Sequence, residues 1–278
     1  MPELPEVETI VRGLRKGLIG RTIREVIVRR PDLVGDACAF ASRLRGSPIQ
    51  EVHRRGKFIL LRLGESSLLI HLGMTGRLLL YPGEGPIDRH THLIFVLDRG
   101  GQLRYHDPRR FGRLHLVETR EEGSLPCLQR LGPEPLGPDF TPQELAHRVA
   151  SSGRSIKDLL LDQRQVAGIG NIYASEILYR ARLHPALKAN GLSPLQARKL
   201  HRAIQEVLSL AIDHRGTSIS DYLDASGEPG GFQALLRVYG REGHPCRRCR
   251  GPIARIVQGQ RSTFFCPKCQ RLPRPSPV

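Results

Sequence analysis

The sequence predicts an α+β protein of more than one domain, on three observations. Short β-type runs such as KFILLRL and HLIFVL, separated by turns rich in Gly, Pro and Asp, fill the stretch from about Thr22 to Leu116. After residue 141 the apolar period becomes helical, and two Cys-x2-Cys pairs follow further along the chain. Many short, closely spaced strands are typical of an antiparallel sandwich or barrel. The segment LGPEPLGPDFTP (131–142), dense in proline and glycine, predicts a linker between the two parts.

The apolar spacing predicts one helix at the start of the chain and four more in the second part. The first covers Leu4–Leu18, with Pro5 in its first turn, where proline is tolerated. Residues 216–233, rich in Gly, Ser and Asp, predict a mobile loop, and LPRPSPV (272–278) predicts a disordered tail. The four later helices are LAHRVAS (145–151) behind a capping box at Thr141, Ser155–Val166, Ile172–Leu183, and a long one from the Ser-Pro pair at 193–194 to about His214.

The charge balance points to a polyanionic partner. The chain of 278 residues carries 43 Lys and Arg against 27 Asp and Glu, a formal net charge of +16. This balance favours nucleic acid over a membrane surface, with an ordinary basic enzyme as the alternative. At 39% hydrophobic residues the chain can build a core, which excludes a disordered protein. No apolar run reaches membrane-spanning length, and MPELPEVE lacks the apolar stretch of a signal peptide, so we expect a cytoplasmic protein.

Four of the six cysteines form a strong metal-binding pattern. Cys246-x2-Cys249 is followed after 16 residues by Cys266-x2-Cys269. Two such pairs supply four thiolates for a tetrahedral zinc, and a site closed by four protein ligands is structural rather than catalytic. Two disulfides or free thiols are the alternative, which the intracellular interpretation disfavours. We therefore expect one structural Zn²⁺ and no small-molecule cofactor.

The residues between the two cysteine pairs predict a β-hairpin held at its base by the metal. PIARIV and STFFC are its two strands, and Gly259 lies near the turn. Arg261 would then lie near the tip of the hairpin, in a position that the metal-bound hairpin holds rigid.

A glycine-rich turn between two predicted helices is a candidate phosphate site. In VAGIGNIYASE, Gly168 and Gly170 allow a tight turn, and Asn171 can cap the helix that follows. The free N–H groups of such a helix start bind phosphate well, although an ordinary turn between helices explains the pattern equally well. Nearby Arg154 and Lys157, with the basic charge of the chain, favour DNA phosphate, whose contacts position a duplex without reading its sequence.

The second residue of the chain is chemically suggestive. Removal of Met1 would expose a secondary amine on Pro2, and α-amino groups titrate near about 7.7–8.0 in model peptides, so a useful fraction is neutral and nucleophilic at pH 7. Attack of that amine on a sugar C1′ would give an iminium directly. Glu3 can serve as an acid or base, and Lys57, at the start of a strand, as a proton donor or phosphate clamp. Taken alone, MPE is an unremarkable start.

Other candidates have an ordinary structural interpretation when taken alone. Asp107-Pro-Arg-Arg-Phe-Gly112 can fill space in a base stack, or it is a surface turn with a buried phenylalanine. Met74 is normally a core residue, and Cys38 and Cys127, which have no partner motif, are expected in the core as well. Polar or phosphate-facing roles, rather than metal binding, are expected for three histidines without ligand spacing, His90, His92 and His106.

Together, these motifs resemble those of the formamidopyrimidine-DNA glycosylase family. The matching stretches are MPELPEVETIVRGL, RRGKFILLRLG, HLGMTGRL, DPRRFGRL, DQRQVAGIGNIYASEILYRARLHP and GQRSTFFCPKC. They follow the family's order from Pro2 to about Arg271, and no signature position departs from the pattern. The resemblance implies an α+β multidomain fold. Its parts are an N-terminal β-sandwich with flanking helices, a C-terminal helix–two-turn–helix bundle and a four-cysteine zinc-ribbon finger.

The resemblance also implies an activity. The expected domains are a catalytic β-sandwich (1–134), a helix–two-turn–helix DNA-binding domain whose loop 216–233 caps the lesion (135–236), and a zinc finger (237–271). A bacterial enzyme of this family, a monomer in base excision repair, removes 8-oxoguanine and formamidopyrimidines from damaged double-stranded DNA. It then nicks the abasic site by β,δ-elimination. No membrane and no small-molecule cofactor are implied.

Residue by residue, the resemblance makes Pro2 the nucleophile and Glu3 the general acid. It assigns Lys57 to β-elimination and Arg261 to δ-elimination. Three residues are implied to fill the gap of the extruded nucleotide and to probe the opposite cytosine, namely Met74, Arg109 and Phe111. Contacts to DNA phosphate are implied for His90, Lys157, Asn171, Tyr173 and Arg261, and Arg154 is added from its position. The zinc ligands are Cys246, Cys249, Cys266 and Cys269.

Two other functions stay open from the sequence. An endonuclease VIII-type enzyme shares the fold and the Pro2 chemistry but acts on oxidised pyrimidines. The ELPEV start, the complete DPRRFG motif and the long 216–233 loop favour the purine enzyme. The second alternative is a zinc-ribbon DNA-binding protein without catalysis, and the intact set of Pro2, Glu3 and Lys57 argues against it.

Overall fold

The computed structural model describes residues 1–219 and 221–272. The chain forms two compact units: Met1–Gln129 with Ile212–Gln233, and Arg130–Ala211 with Ala234–Val278. Residue 220 of the predicted mobile loop, and residues 273–278 of the predicted tail, lie outside the described residues.

Two four-stranded antiparallel sheets form the framework of the first unit. One has the strand order β1 (Ile23–Val28), β6 (Thr91–Leu97), β7 (Gln102–His106) and β5 (Arg77–Tyr81). The other has the order β2 (Glu51–Arg55), β3 (Phe58–Leu63), β4 (Ser66–His71) and β8 (Arg113–Glu118). The pairing within both sheets is antiparallel throughout.

A single hydrophobic cluster lies between the two sheets. Ile59 and Leu61 of β3 contribute to it, as do Leu93 and Phe95 of β6. Because side chains alternate along a strand, each of these pairs points to one face of its sheet. The sheets therefore pack face to face, as the predicted β-sandwich requires.

Two helices flank the sandwich. The first, α1 (Leu4–Leu18), has the predicted bounds and buries its apolar side chains in the core cluster. The second, α2 (Ala37–Leu44), was not predicted; it is capped by the Asp36 carboxylate and buries Phe40 and Leu44.

The prediction that Cys38 and Cys127 are core residues is wrong. Both thiols are exposed, Cys38 in α2 and Cys127 in a short helix, α3 (Pro126–Gln129). In each helix a neighbouring apolar residue, Phe40 or Leu128, takes the buried face instead. The hydrophobic face of a short helix admits few positions, and these cysteines are not among them.

The second unit contains the predicted helices, with one early end. The Thr141 hydroxyl accepts from the Glu144 amide at 3.1 Å, so Thr141 is the predicted N-cap, whereas the Glu144 carboxylate accepts from Arg148 rather than completing a capping box. The helix predicted over Ser155–Val166 ends at Leu161 instead. The Asp162 carboxylate accepts from the Arg164 amide at 3.0 Å, and this bond turns the chain. The helices are α4 (Pro142–Ala150), α5 (Ile156–Leu161), α6 (Asn171–Ala181) and α7 (Pro194–Asp213). Among the described helices, none has the length and apolar character of a membrane span.

The segment 212–233 packs with the first unit, although the sequence grouped it with the helical part. Tyr222 and Ala225 belong to the sandwich core, and the Leu80 amide donates to the Ala225 carbonyl at 2.8 Å. Burial of these two side chains attaches the described part of the segment to the sandwich. The division into three functional domains stays a prediction.

Candidate active site

The N-terminal residues are held on a fixed backbone. Pro2 is buried, whereas Met1 is half exposed. Glu3 is the N-cap residue of α1 and only 3% exposed, and its amide donates to Glu6 Oε2 at 2.8 Å. Capping of this kind fixes the direction in which the chain enters a helix. Pro2 and Glu3 therefore occupy defined positions at the positive end of the helix dipole.

Glu6 ties this helix start to the 212–233 segment. Its carboxylate is 2% exposed, and Oε1 accepts from the Thr217 amide at 2.7 Å. This close contact between Glu6 and the Thr217 amide requires glycine at position 216. A Cβ on Gly216 would lie 2.8 Å from Glu6 Oε1, and the Gly216 φ of +78° also favours glycine. Nothing local in the sequence indicates the partner of Glu6.

Lys57 lies in the turn between β2 and β3 and is 7% exposed. Arg54 ties this turn to α1, because its guanidinium contacts Glu8 at 3.1 Å and donates to the Gly56 carbonyl at 3.0 Å. Burial, together with the charge of Lys57, lowers the pKa of His71 to about 4. His71 is therefore neutral near pH 7.

Two adjacent loops carry the predicted stack-filling residues. Met74 is 43% and Phe111 51% exposed, so neither is a core residue, and the Arg109 guanidinium lies 4.7 Å from the centre of the Phe111 ring. The loops touch through their backbones, since a Cβ on Gly73 would lie 2.6 Å from the Phe111 carbonyl carbon. The structure thus brings these three side chains to one exposed edge of the first unit.

His90 lies beside the second of these loops. Its carbonyl accepts from the Asp107 amide at 3.0 Å, and its own amide donates to Asp88 Oδ1 at 2.7 Å. The same carboxylate oxygen contacts His106 Nε2 at 2.9 Å. His92 is instead buried, with Nε2 2.8 Å from the Asp107 carbonyl, and so is a polar core residue that faces no phosphate.

In the second unit, Lys157 and Asn171 converge on the hairpin. Lys157 Nζ donates to Thr263 Oγ1 at 2.5 Å and to the Ser262 carbonyl at 3.3 Å. Asn171 Nδ2 donates to the same carbonyl at 3.0 Å. The capping prediction for Asn171 is wrong, because Gly170 is the N-cap and Asn171 is the first residue of α6.

The predicted phosphate contacts differ in their exposure. Lys157 and Tyr173 are fully buried, and their contact with DNA phosphate stays a prediction. Asn171 is half-buried, and exposed Arg154 already pairs with Asp162 at 2.8 Å. Lys157 lies against the hairpin because the tertiary fold places Ser262 and Thr263 over α5.

The hairpin has the predicted form. Its strands, β9 (Ala254–Gln258) and β10 (Arg261–Phe265), are joined at Gly259, whose φ is +54°. Exposed Arg261 begins β10 opposite Gln258, and Gln258 Nε2 donates to Ser155 Oγ. Arg261 therefore stands at the tip of a hairpin that is anchored on α5.

The four cysteine sulfurs lie within 4.8 Å of one another. Cys246 and Cys266 are buried and form a small core with Tyr179, Val238 and Ile253. Four thiolates at this separation fit one tetrahedral zinc with no open position, so the metal is structural. A core this small depends on its metal for stability.

Three family models match consecutive parts of the chain. They are the formamidopyrimidine-DNA glycosylase N-terminal domain at residues 1–114, the formamidopyrimidine-DNA glycosylase H2TH domain at 131–222, and the zinc finger found in FPG and IleRS at 243–272. The chain belongs to the formamidopyrimidine-DNA glycosylase family. It is a DNA glycosylase, an enzyme of base excision repair, and the predicted fold class and structural zinc are confirmed.

Relatives of the glycosylase match over almost the whole length. The formamidopyrimidine-DNA glycosylase of Symbiobacterium thermophilum is 47% identical over 98% of this chain and 90% of its own. That of Bacillus subtilis is 45% identical over 97% and 99%. Among solved structures, the MutM (Fpg) protein of Thermus thermophilus has a TM-score of 0.87 at 46% identity, covering 97% of this chain and 98% of its own. The Lactococcus lactis Fpg in complex with abasic-site DNA has a TM-score of 0.92 at 37% identity, over 97% and 100%.

Glu176 of the glycosylase joins α6 to the start of residues 237–271, the zinc-binding segment. Its buried carboxylate accepts from three consecutive amides, those of Arg237, Val238 and Tyr239, at 2.8–2.9 Å. Burial raises the pKa of Glu176, while the three N–H groups favour its ionised form. Glu176 lies inside the motif VAGIGNIYASE, but no local pattern there indicates its partners, which are 61–63 residues away.

We expect Glu176→Gln to lower the free energy of unfolding by about 1–3 kcal/mol, because the amide NH₂ would face a backbone donor. The change is measured by denaturant unfolding. Glu206→Gln is the matched control, since Glu206 pairs with Arg180 and Arg202 at the surface, and it should cost less than about 0.5 kcal/mol. Equal losses in the two variants would contradict the anchoring role.

Proposed function

We propose that this glycosylase removes oxidised purines, 8-oxoguanine and formamidopyrimidines, from double-stranded DNA and then nicks the abasic site by β,δ-elimination. The observation that carries the proposal is the buried pair of Pro2 and Glu3, fixed at the start of α1. Solved Lactococcus lactis relatives hold abasic-site DNA and Fapy-dG-containing DNA. The net charge of +16 suits a polyanionic duplex. We also propose that the enzyme is cytoplasmic and acts as a monomer.

Base excision requires the nucleotide to leave the stack, because its C1′ is out of reach inside a duplex, and extrusion costs a few kcal/mol. Exposed Met74 and Phe111 can refill the stack and so offset that cost. Arg109 can hydrogen-bond a base edge and test for the opposite cytosine. The proposed contacts to DNA phosphate are His90 in the first unit and Arg154, Lys157, Asn171, Tyr173 and Arg261 in the second.

The proposed chemistry begins after removal of Met1, which leaves a secondary amine on Pro2. The Pro2 nitrogen forms a bond to C1′ while the bond from C1′ to the base breaks, and the base takes the proton that the nitrogen loses. That displacement is reversible until Glu3 protonates O4′ and the C1′–O4′ bond opens, which leaves an iminium between Pro2 and C1′ and makes the release of the base final.

The iminium makes the C2′ proton acidic. Its loss, assisted by Lys57, expels the 3′ phosphate, and a second elimination, assisted by Arg261, expels the 5′ phosphate. Water hydrolyses the remaining iminium and restores the Pro2 amine.

Borohydride trapping tests this chemistry, because it reduces an iminium to a stable amine. We expect Met1-free protein, verified by mass spectrometry, to form a covalent complex with an 8-oxoguanine:C duplex. Protein that retains Met1 has an amide nitrogen at Pro2 and should give no complex. Trapping of the Met1-retaining form, or none with the processed form, would refute Pro2 as the nucleophile.

The substrate class needs a separate comparison, because one Lactococcus lactis relative was solved with DNA that contains an oxidised pyrimidine. Excision rates on 8-oxoguanine:C and thymine glycol:A duplexes distinguish the purine enzyme from an endonuclease VIII-type enzyme. Faster excision of thymine glycol would overturn the proposed specificity.

A further inference from the structure

A buried carboxylate that the proposed chemistry does not use lies behind the exposed loops. Asp107 has no exposed surface. Its Oδ1 accepts from Thr75 Oγ1 at 2.6 Å, and its Oδ2 accepts from the Tyr105 hydroxyl at 3.0 Å and from the Gly112 amide at 2.9 Å. The Arg109 amide lies 3.3 Å from both Asp107 Oδ1 and Thr75 Oγ1.

These bonds connect separate pieces of chain. Thr75 follows Met74 directly in the loop after β4, whereas Arg109 and Gly112 flank Phe111 in the loop after β7. Tyr105 belongs to β7 itself, and thus to the rigid sheet. One carboxylate therefore fastens both loops to each other and to the sandwich.

The Asp107 backbone is fixed as strongly as its side chain. Its amide donates to the His90 carbonyl at 3.0 Å, and its carbonyl accepts from the Arg110 amide at 3.2 Å and lies 2.8 Å from His92 Nε2. Burial opposes ionisation of Asp107, but the hydrogen bonds, that from Thr75 first, outweigh it and hold its pKa below the usual range. The group is then an ionised acceptor, which binds N–H and O–H donors strongly.

We propose that Asp107 is a positioning residue that presets Met74, Arg109 and Phe111, the wedge, for insertion into the base stack. This inference rests on the proposed function, because it gives the wedge its task. Met74 and Phe111 are exposed apolar side chains on loops, which need support from behind to hold one geometry. Asp107 and Thr75 supply it, so the enzyme meets DNA with its wedge already formed.

The test compares Thr75→Val, which removes the hydroxyl at nearly constant volume, with Thr75→Ser, which keeps it. Stopped-flow fluorescence of 2-aminopurine beside the lesion reports opening of the stack. We expect Thr75→Val to slow opening and duplex excision by about tenfold or more, and Thr75→Ser to restore both. The ratio of the excision rate opposite cytosine to that opposite adenine should fall in Thr75→Val and in Asp107→Asn, because Arg109 loses its fixed position.

Ser67→Ala is the matched structural control. Ser67 is fully buried near the start of β4, at the end of that strand away from the wedge loops, and its hydroxyl donates to the Glu122 carboxylate at 2.9 Å. It should lower thermal stability as Thr75→Val does and leave opening and opposite-base preference unchanged. Equal effects of Ser67→Ala and Thr75→Val, or an unchanged preference in both wedge variants, would overturn the proposal.

Failure of the proposed chemistry is distinguishable from failure of this inference. Borohydride trapping on a single-stranded abasic oligonucleotide needs Pro2 but no wedge, and it should be equal in wild type and in every variant. If the wild-type protein gives no borohydride-trapped complex, the proposed chemistry fails. The 2-aminopurine signal still tests whether Asp107 positions the wedge. Normal trapping with slowed opening supports the positioning role.

Discussion

Replacement of Glu3 by glutamine abolishes base excision, with an expected loss of about 10²–10⁴-fold, the usual contribution of a general acid. Glutamine keeps the shape of the buried side chain but has no acidic proton to give. Binding of the lesion duplex should stay at the wild-type level, since the Glu3 amide keeps its bond to Glu6 and the glutamine side-chain oxygen can still accept from the Glu6 amide. Cleavage of a pre-formed abasic site should fall less, because its open-chain aldehyde can form the iminium with Pro2 without the ring opening that Glu3 assists.

Single-turnover excision and equilibrium binding on the same duplex measure these two effects. Glu25→Gln is the control, since it makes the same change at an exposed position of β1. A loss of binding that parallels the loss of excision would show that Glu3 is a structural residue. The pair of measurements therefore separates a proton donor from a helix cap.

Loss of a zinc ligand is expected to unfold the zinc-binding segment. Cys249→Ser leaves three thiolates, and structural zinc sites contribute about 10–16 kcal/mol in small zinc-finger peptides, more than the five-residue core with Tyr179 and Ile253 can replace. We expect loss of bound zinc, rapid proteolysis within residues 237–271, and weaker DNA binding. The products of abasic-site cleavage should shift from δ- to β-elimination, because Arg261 loses its mount.

Native mass spectrometry and limited proteolysis check this prediction. Cys38→Ser and Cys127→Ser are matched controls, because both thiols are exposed and lie outside the four-cysteine cluster. One zinc per chain is expected in each control. A Cys249→Ser protein that keeps its zinc and resists proteolysis would contradict the four-thiolate site.

Patterns that are local in the chain could be predicted from the sequence. The bounds of α1, the cap at Thr141 and the hairpin between the cysteine pairs follow from apolar spacing, a hydroxyl at a helix start and a fixed ligand spacing. The family follows from the order of its motifs. Each of these signals lies within a few residues, so no knowledge of distant contacts is needed.

The positions of several side chains depend on distant partners. The ammonium group of Lys157, whose contact with phosphate stays a prediction, lies against Thr263, 106 residues away. Asparagine is a residue type that often caps helices, yet the Asn171 side chain donates to the Ser262 carbonyl. The position of Cys38 depends on which face of α2 packs against β1, and that of Cys127 on which face of α3 is buried.

The sequence by itself determined the family, the zinc site and the identity of the candidate catalytic residues Pro2, Glu3 and Lys57. Only the tertiary structure decided that Glu6, at the start of α1, meets Thr217, 211 residues away, and that Asp107 bonds to both wedge loops. The physical reason is that a buried carboxylate must find donors wherever the packed chain supplies them. Sequence spacing does not encode which distant amide or hydroxyl that will be.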